Sequence, residues 1–210
     1  MLDNYLTSAY NLAPYTLYEE PLAPLTGTQS QLPVILSEYR FYKISDIDNY
    51  LKLLTRTPEY FRSILNFEHT KSESGLFMAS YTADSIIKEC RDFINLKESN
   101  YLYSSFVERL EELASAKDGV LTEKQREAYT RQNNVYIKKY IFPAYEQLIS
   151  GLSELRSSGK NNNGLCYLPN GRTYYEYLVR SETGSPRSIA ELQNLANTQI
   201  LRILQLCNGC

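Results

Sequence analysis

One histidine serves all 210 residues, and tryptophan is absent. The first scarcity removes most hydrolytic chemistry. A His-Glu-x-x-His zinc helix needs two histidines one turn apart, and a Ser-His-Asp or Cys-His nucleophile would have to use His69. His69 follows Glu68 near the end of a predicted helix, where the negative end of the dipole favours the imidazolium and so a solvated capping role over a ligand role. No Gly-x-Ser-x-Gly elbow, Walker loop or Gly-x-Gly-x-x-Gly run occurs, so neither a presented serine nor a phosphate cradle has local support. Excess charge is lacking too: 22 Lys and Arg face 24 Asp and Glu, for a net charge of −2. No basic field exists to neutralise phosphates, which argues against nucleic acid and anionic membrane as partners. No apolar run approaches the roughly 20 residues that span a bilayer, and Met1-Leu2-Asp3-Asn4 lacks the basic-then-apolar order of a signal peptide.

Cysteine is sparse as well. Cys90, Cys166, Cys207 and Cys210 are too few for a disulfide scaffold in a chain of this length. Cys207-Asn208-Gly209-Cys210 has the spacing of a redox pair or half a zinc site, yet it follows a helix end, where a thiolate is disfavoured. No cofactor, metal ligand or catalytic residue is therefore expected in this chain.

What is present is enough apolar sequence, 43%, to bury one substantial core, and 19 tyrosines. The default is a single helical domain over residues 1–210. Tyrosine supplies amphipathic contact area, which suits helix packing at a wet edge or the lining of a binding surface. At the start, Pro14, Pro21, Pro24 and Pro33 interrupt Tyr10, Tyr15, Leu17 and Tyr18. A short helix over 2–10 is followed by backbone predicted to be extended or turning from 13 to 33, because proline removes donors and fixes φ. Residues 1–35 thus read as an extended proline-punctuated arm or lid.

Helix signals then become dense. Ser45 with Asp48 resembles a capping box ahead of Ile47, Tyr50, Leu51 and Leu54, and Thr57-Pro58-Glu59 opens a nearly contiguous second helix through Phe61, Ile64, Leu65 and Glu68. Gly75 to Tyr81 reads as a connection, and Ile86, Ile87, Cys90, Phe93 and Ile94 mark a third helix. Ser105 with Glu108 caps a fourth, stopped by Asp118-Gly119. Thr122 with Gln125 opens the longest pattern, through Tyr129, Tyr136, Ile137 and Tyr140 to Leu155, with Pro143 predicting a kink or break near residue 140. Residues 157–164 form a Ser/Gly/Asn/Lys linker. A short helix with Tyr174, Tyr175, Tyr177 and Leu178 follows, then a last helix capped by Ser188 and Glu191. The sum is about seven helices without strand alternation, an all-α, irregular multi-helix array.

The most distinctive local motif is Leu168-Pro169-Asn170-Gly171-Arg172-Thr173-Tyr174-Tyr175. As structure, it is a turn that starts a helix. As function, Arg172, Tyr174 and Tyr175 line a groove that binds a carboxylate or a peptide backbone, and they are the candidate substrate-binding residues.

Ile141-Phe142-Pro143-Ala144-Tyr145-Glu146-Gln147-Leu148, then Gly164-Leu165 through Tyr175, then Gly184 and Ser188 to Glu191, resemble the bacterial family of unknown function numbered 885. Thr26-Gly27-Thr28-Gln29 and the Asp46 to Phe61 helices extend the likeness over nearly the whole chain. The resemblance implies long helical proteins, often exported lipoproteins of Gram-positive bacteria, hence an extracellular or surface-anchored place. It also implies zinc-peptidase-like chemistry from a His-Glu-x-x-His-type segment in the later half, which has no counterpart here. The implied role is a fragment: the non-catalytic helical portion of a zinc-dependent peptidase-like hydrolase, forming a wall of the substrate cleft. Its partners are then the remaining C-terminal half of the parent protein and a peptide substrate, with zinc held only in the parent. The alternative is a stand-alone helical binding module without enzymatic activity.

Overall fold

The computed structural model describes residues 13–116, 121–160 and 163–208. Among them are eight α-helices and no strand: α1 Thr28–Ser37, α2 Ile44–Glu73, α3 Ser80–Asn95, α4 Tyr101–Ala116, α5 Glu123–Tyr136, α6 Phe142–Leu155, α7 Gly171–Thr183 and α8 Ile189–Asn208. A π turn, Ile137–Ile141, joins α5 and α6 into one rod, so the chain runs as seven rods with short 3-10 pieces between some of them. The all-α expectation holds. The short helix expected over 2–10 and the Asp118-Gly119 stop lie outside the described residues. Two compact units emerge, one of Leu17–Asn162 and one joining residues up to Thr16 with Asn163–Cys210.

In the larger unit α2 is a single helix of 30 residues, not two. Thr57-Pro58-Glu59 lies inside it, where a proline costs about 3 kcal/mol. On the turns either side, Tyr50, Leu51 and Leu54 and then Phe61, Ile64 and Leu65 are all buried on one face. Each such side chain contributes about 1.5–3 kcal/mol when fully buried, so the stripe outweighs the proline. The cap also differs from the Ser45–Asp48 reading, because the Asp46 carboxylate accepts the Tyr42 and Lys43 backbone N–H groups at 3.0 and 3.1 Å. At the other end Gly75, at φ 71°, closes the helix: its N–H bonds to Ser72 O at 3.0 Å and that of Leu76 to Lys71 O at 2.8 Å. The fourth helix likewise starts earlier than Ser105, at Tyr101, capped by Asn100, whose Oδ1 accepts the Leu102 N–H at 3.1 Å.

The predicted break near residue 140 is the π turn, in which the Phe142 N–H reaches back five residues to Ile137 O. Pro143 cannot donate to Lys139 O, and the wider turn keeps its ring off that carbonyl. Upstream, the Thr122–Gln125 box forms as expected, with Gln125 Oε1 accepting the Thr122 N–H at 2.9 Å and Thr122 Oγ1 the Gln125 N–H at 3.3 Å.

The stretch predicted to be extended or turning from 13 to 33 is more regular than that. It holds a 3-10 helix, Ala13–Tyr18, and the first turns of α1, with Pro33 inside the helix. Pro33 has no N–H for Gln29 O, one turn back. The buried Tyr145 hydroxyl of α6 supplies that donor, bonding to Gln29 O at 2.6 Å. The Tyr145 ring packs edge-on to Phe61 at 5.1 Å and against Phe93 at 4.4 Å. Ahead of α1, a Cβ on Gly27 would lie 2.1 Å from Ala23 N, so only glycine fits. Gln29 Nε2 and Ser30 Oγ donate to Glu89 Oε2 of α3, and the Leu25 N–H to its Oε1. The Thr26-Gly27-Thr28-Gln29 motif is thus a docking joint between α1 and α3. Elsewhere in this unit Tyr39, Phe41, Tyr50 and Phe106 stack with centroids 5.4–6.1 Å apart, which accounts for part of the aromatic content as packing.

In the smaller unit, α7 starts at Gly171, where a Cβ would fall 1.8 Å from Leu165 O. Asn170 precedes it in the left-handed region, and Gly184 ends the helix there at φ 63°. Ser188 and Glu191 form the expected cap of α8: the carboxylate accepts the Ser188 N–H at 2.8 Å and its hydroxyl at 2.7 Å.

Tyr145→Phe keeps the ring and strands Gln29 O, so it should cost about 1–3 kcal/mol, at about 2–4 °C of Tm per kcal/mol in a chain of this size. Urea and thermal denaturation followed by circular dichroism measure it, and an unchanged midpoint contradicts the account of Pro33. Gly171→Ala should make residues 163–170 more susceptible to limited proteolysis, because the Leu165 carbonyl has to move.

Candidate functional site

The three predicted contact residues do not share one face. Tyr174 is buried and lies 5.3 Å from the Tyr15 ring, and Tyr15 and Tyr177 stack at 5.4 Å. Arg172 and Tyr175 are exposed, one helical turn apart, and Arg172 Nε approaches Glu176 Oε1 at 3.4 Å. Arg172 and Tyr175 therefore face solvent, while Tyr174 packs against Tyr15.

His69 is exposed on the last turns of α2, in keeping with a solvated role. Cys90 is buried and its thiol is pushed up to about 12, by burial first and then by Glu89, so it stays protonated. Cys166 and Cys207 are exposed, and Cys210 lies outside the described residues. Among the described residues no three His, Cys, Asp or Glu side chains converge as metal ligands.

The strongest electrostatic feature was not singled out by motif. Glu68 and Lys71 continue the buried stripe of α2, and both side chains are fully buried. Lys71 Nζ donates to Glu19 O at 2.7 Å, pairs with Glu20 Oε2 at 3.0 Å and lies 3.8 Å from Glu68 Oε2. Among the described residues both Glu68 oxygens lack a hydrogen-bond partner. Burial, opposed by Lys71 and reinforced by Glu20, raises its carboxyl to about 7. Glu20 is also raised, by burial against the pull of Lys71. The available signal was positional: Glu68 stands one turn after Leu65 on the face that everything upstream buries.

Two shallow grooves open on the larger unit. One of about 280 Å³ is lined by Asp48, Leu51, Lys52, Thr55, Gln132 and Tyr136, and one of about 180 Å³ by Glu98, Tyr103, Asn134 and Lys138. Neither brings a nucleophile to a base.

The last helix differs from all others. On α8 only Ile189 and Leu192 are partly covered, while Leu195, Ile200, Leu201, Ile203, Leu204 and Leu206 are 46–67% exposed. At 100° per residue all but Leu201 fall on about half the circumference, an apolar face without a cover. Among the described residues no helix is long and apolar enough to cross a membrane.

Among proteins of curated function, none matches the chain. Among solved structures, a candidate lipoprotein from Colwellia psychrerythraea superimposes with a TM-score of 0.80 at 17% identity, over 90% of this chain and 32% of that one. The likeness shows a shared fold, and the chain spans about a third of the length of that protein. The sequence profile of the bacterial proteins of unknown function called DUF885 matches residues 1–207, and the chain belongs to that family.

Proposed function

We propose that this chain is the non-catalytic helical portion of a larger, zinc-dependent peptidase-like hydrolase of the bacterial surface, and that it forms one wall of the substrate cleft. The apolar face of α8 carries the reading. A patch of five large side chains, each about half or more exposed, is more than a free-standing soluble surface ordinarily shows, and it suits a helix completed by further chain. The longer lipoprotein of the same fold offers a precedent for that further chain. Exposed Arg172 and Tyr175, one turn apart on α7 of the same unit, are the groups we assign to the substrate: a guanidinium for a peptide carboxylate and a phenol for its backbone.

The chain's own residues do not fit a zinc ion. His69 stands alone and exposed, and no ligand triad exists among the described residues. On this reading the metal is held by another part of the parent, and no chemical step is assigned to this segment.

Sedimentation tests the reading. Alone, the chain should self-associate, Ile203→Lys together with Leu204→Lys should return it to monomer, and the C-terminal portion of the parent should do the same. A cooperatively melting monomer without that portion supports a self-sufficient binding module, and stoichiometric zinc with peptide hydrolysis by this chain alone overturns the proposal. In the parent enzyme, Arg172→Ala should raise KM for peptides by roughly 10-fold or more with kcat little changed, since it removes binding made equally in the ground and transition states.

A further inference from the structure

We propose that Glu68, Lys71 and Glu20 form a proton-operated latch that holds the Leu17–Leu22 strap against the C-terminal part of α2. The strap enters the core through Tyr18 and Leu22, both buried. Two polar attachments hold it: the Thr28 N–H on Pro21 O at 2.9 Å ties it to α1, and on the α2 side Lys71 Nζ, fully buried, grips Glu19 O at 2.7 Å and Glu20 Oε2 at 3.0 Å, while Tyr18 makes a contact of its own. Two carboxylates therefore compete for a single lysine. Glu68 is sealed from solvent with both oxygens unbonded, whereas Glu20 keeps 45% of its side chain exposed.

The groups facing Glu68 are few. From α2 comes Lys71, with the Phe67 ring 5.9 Å from its Nζ; from the strap comes Glu20. α6 packs against the same stretch of α2 by seating Gly151 on Leu65, and its nearby acid, Glu154, is exposed. With Glu68 protonated, Lys71 and Glu20 neutralise each other and the latch is closed. When that proton leaves to solvent, two negative charges share one positive charge in a largely buried site, and Glu20 is the partner with a way out.

The sign follows from linkage. In the closed state the Glu68 carboxyl titrates near 7, above its ordinary 4.5, so closure binds a proton more tightly than opening does. The stabilisation is complete below pH 4.5 and is lost as pH rises toward 7 and beyond. The latch is closed in acid and loosens at mildly alkaline pH, opposite to a carboxylate held by an ion pair.

Amide hydrogen exchange of the intact chain reads the latch directly, once corrected for the intrinsic pH dependence of exchange. Between pH 5 and pH 8 protection over residues 18–22 should fall on the order of 50-fold, as linkage gives for a carboxyl moved from 4.5 to about 7, while core amides of α3 around Ile86 keep theirs. Glu68→Gln, uncharged and of equal size, should hold protection high at both pH values. Glu20→Gln, which leaves Lys71 to neutralise Glu68 alone, should shrink the fall between pH 5 and pH 8. Constant wild-type protection across this range overturns the proposal. So does a Glu68→Gln protein that keeps the pH dependence, or a loss at Ile86 equal to the loss in the strap.

Discussion

The close approach of α2 to α6 fixes most of the larger unit. Gly151 lets the Leu65 side chain sit against the α6 backbone, and one turn back on α2 and nearly two turns back on α6, Phe61 meets Tyr145 edge-on. Tyr145 then serves two further elements, stacking on Phe93 of α3 and donating to Gln29 of α1. One phenol therefore sits where four helices meet, satisfied at its polar end and packed along its ring, which is the arrangement that makes a buried tyrosine stabilising. Its hydroxyl is held well above the ordinary phenol range by burial, so it stays a neutral donor at any physiological pH.

That junction explains how helices here carry prolines. Pro33, Pro58 and Pro143 each delete a donor within a helical rod, and each is accommodated by a different means: a borrowed hydroxyl, a buried stripe on both sides, and a π turn. Sequence reading located the third because the remedy is local to the backbone. It did not locate the first two because the remedy comes from residues far along the chain, and propensity yields to packing where the buried area is large. The caps divide in the same way. Thr122 with Gln125 and Ser188 with Glu191 were legible because few competing groups stand nearby. Ser45 with Asp48 was not, since Asp46 offers an equally good carboxylate two residues earlier in the box and the buried stripe selects it.

Legibility was poorer at the candidate sites. Arg172, Tyr174 and Tyr175 are close in sequence, but a helix turns 100° per residue, so Arg172 and Tyr175 lie about 60° apart while Tyr174 points away from both. The segment names a helix start correctly and overstates the number of side chains one groove receives. Glu68 and Lys71 present the reverse case. Their positions on the stripe predict burial, and only Glu20, distant in sequence, shows why two charged side chains are tolerated there.

Perturbed acids often mark catalysis, and Glu68 invites that reading. The geometry argues otherwise. A general acid needs a path to substrate, and Glu68 is sealed on every side, its nearest cation being committed to the strap. Its proton can control whether a segment stays docked, which needs no substrate contact and exchanges only with solvent when the segment opens. Proton control of the strap and an uncovered apolar helix are both properties of a part that answers to something else. Both fit the proposed role, the wall of a larger enzyme whose surroundings set its conformation, better than that of a module whose surface is already complete.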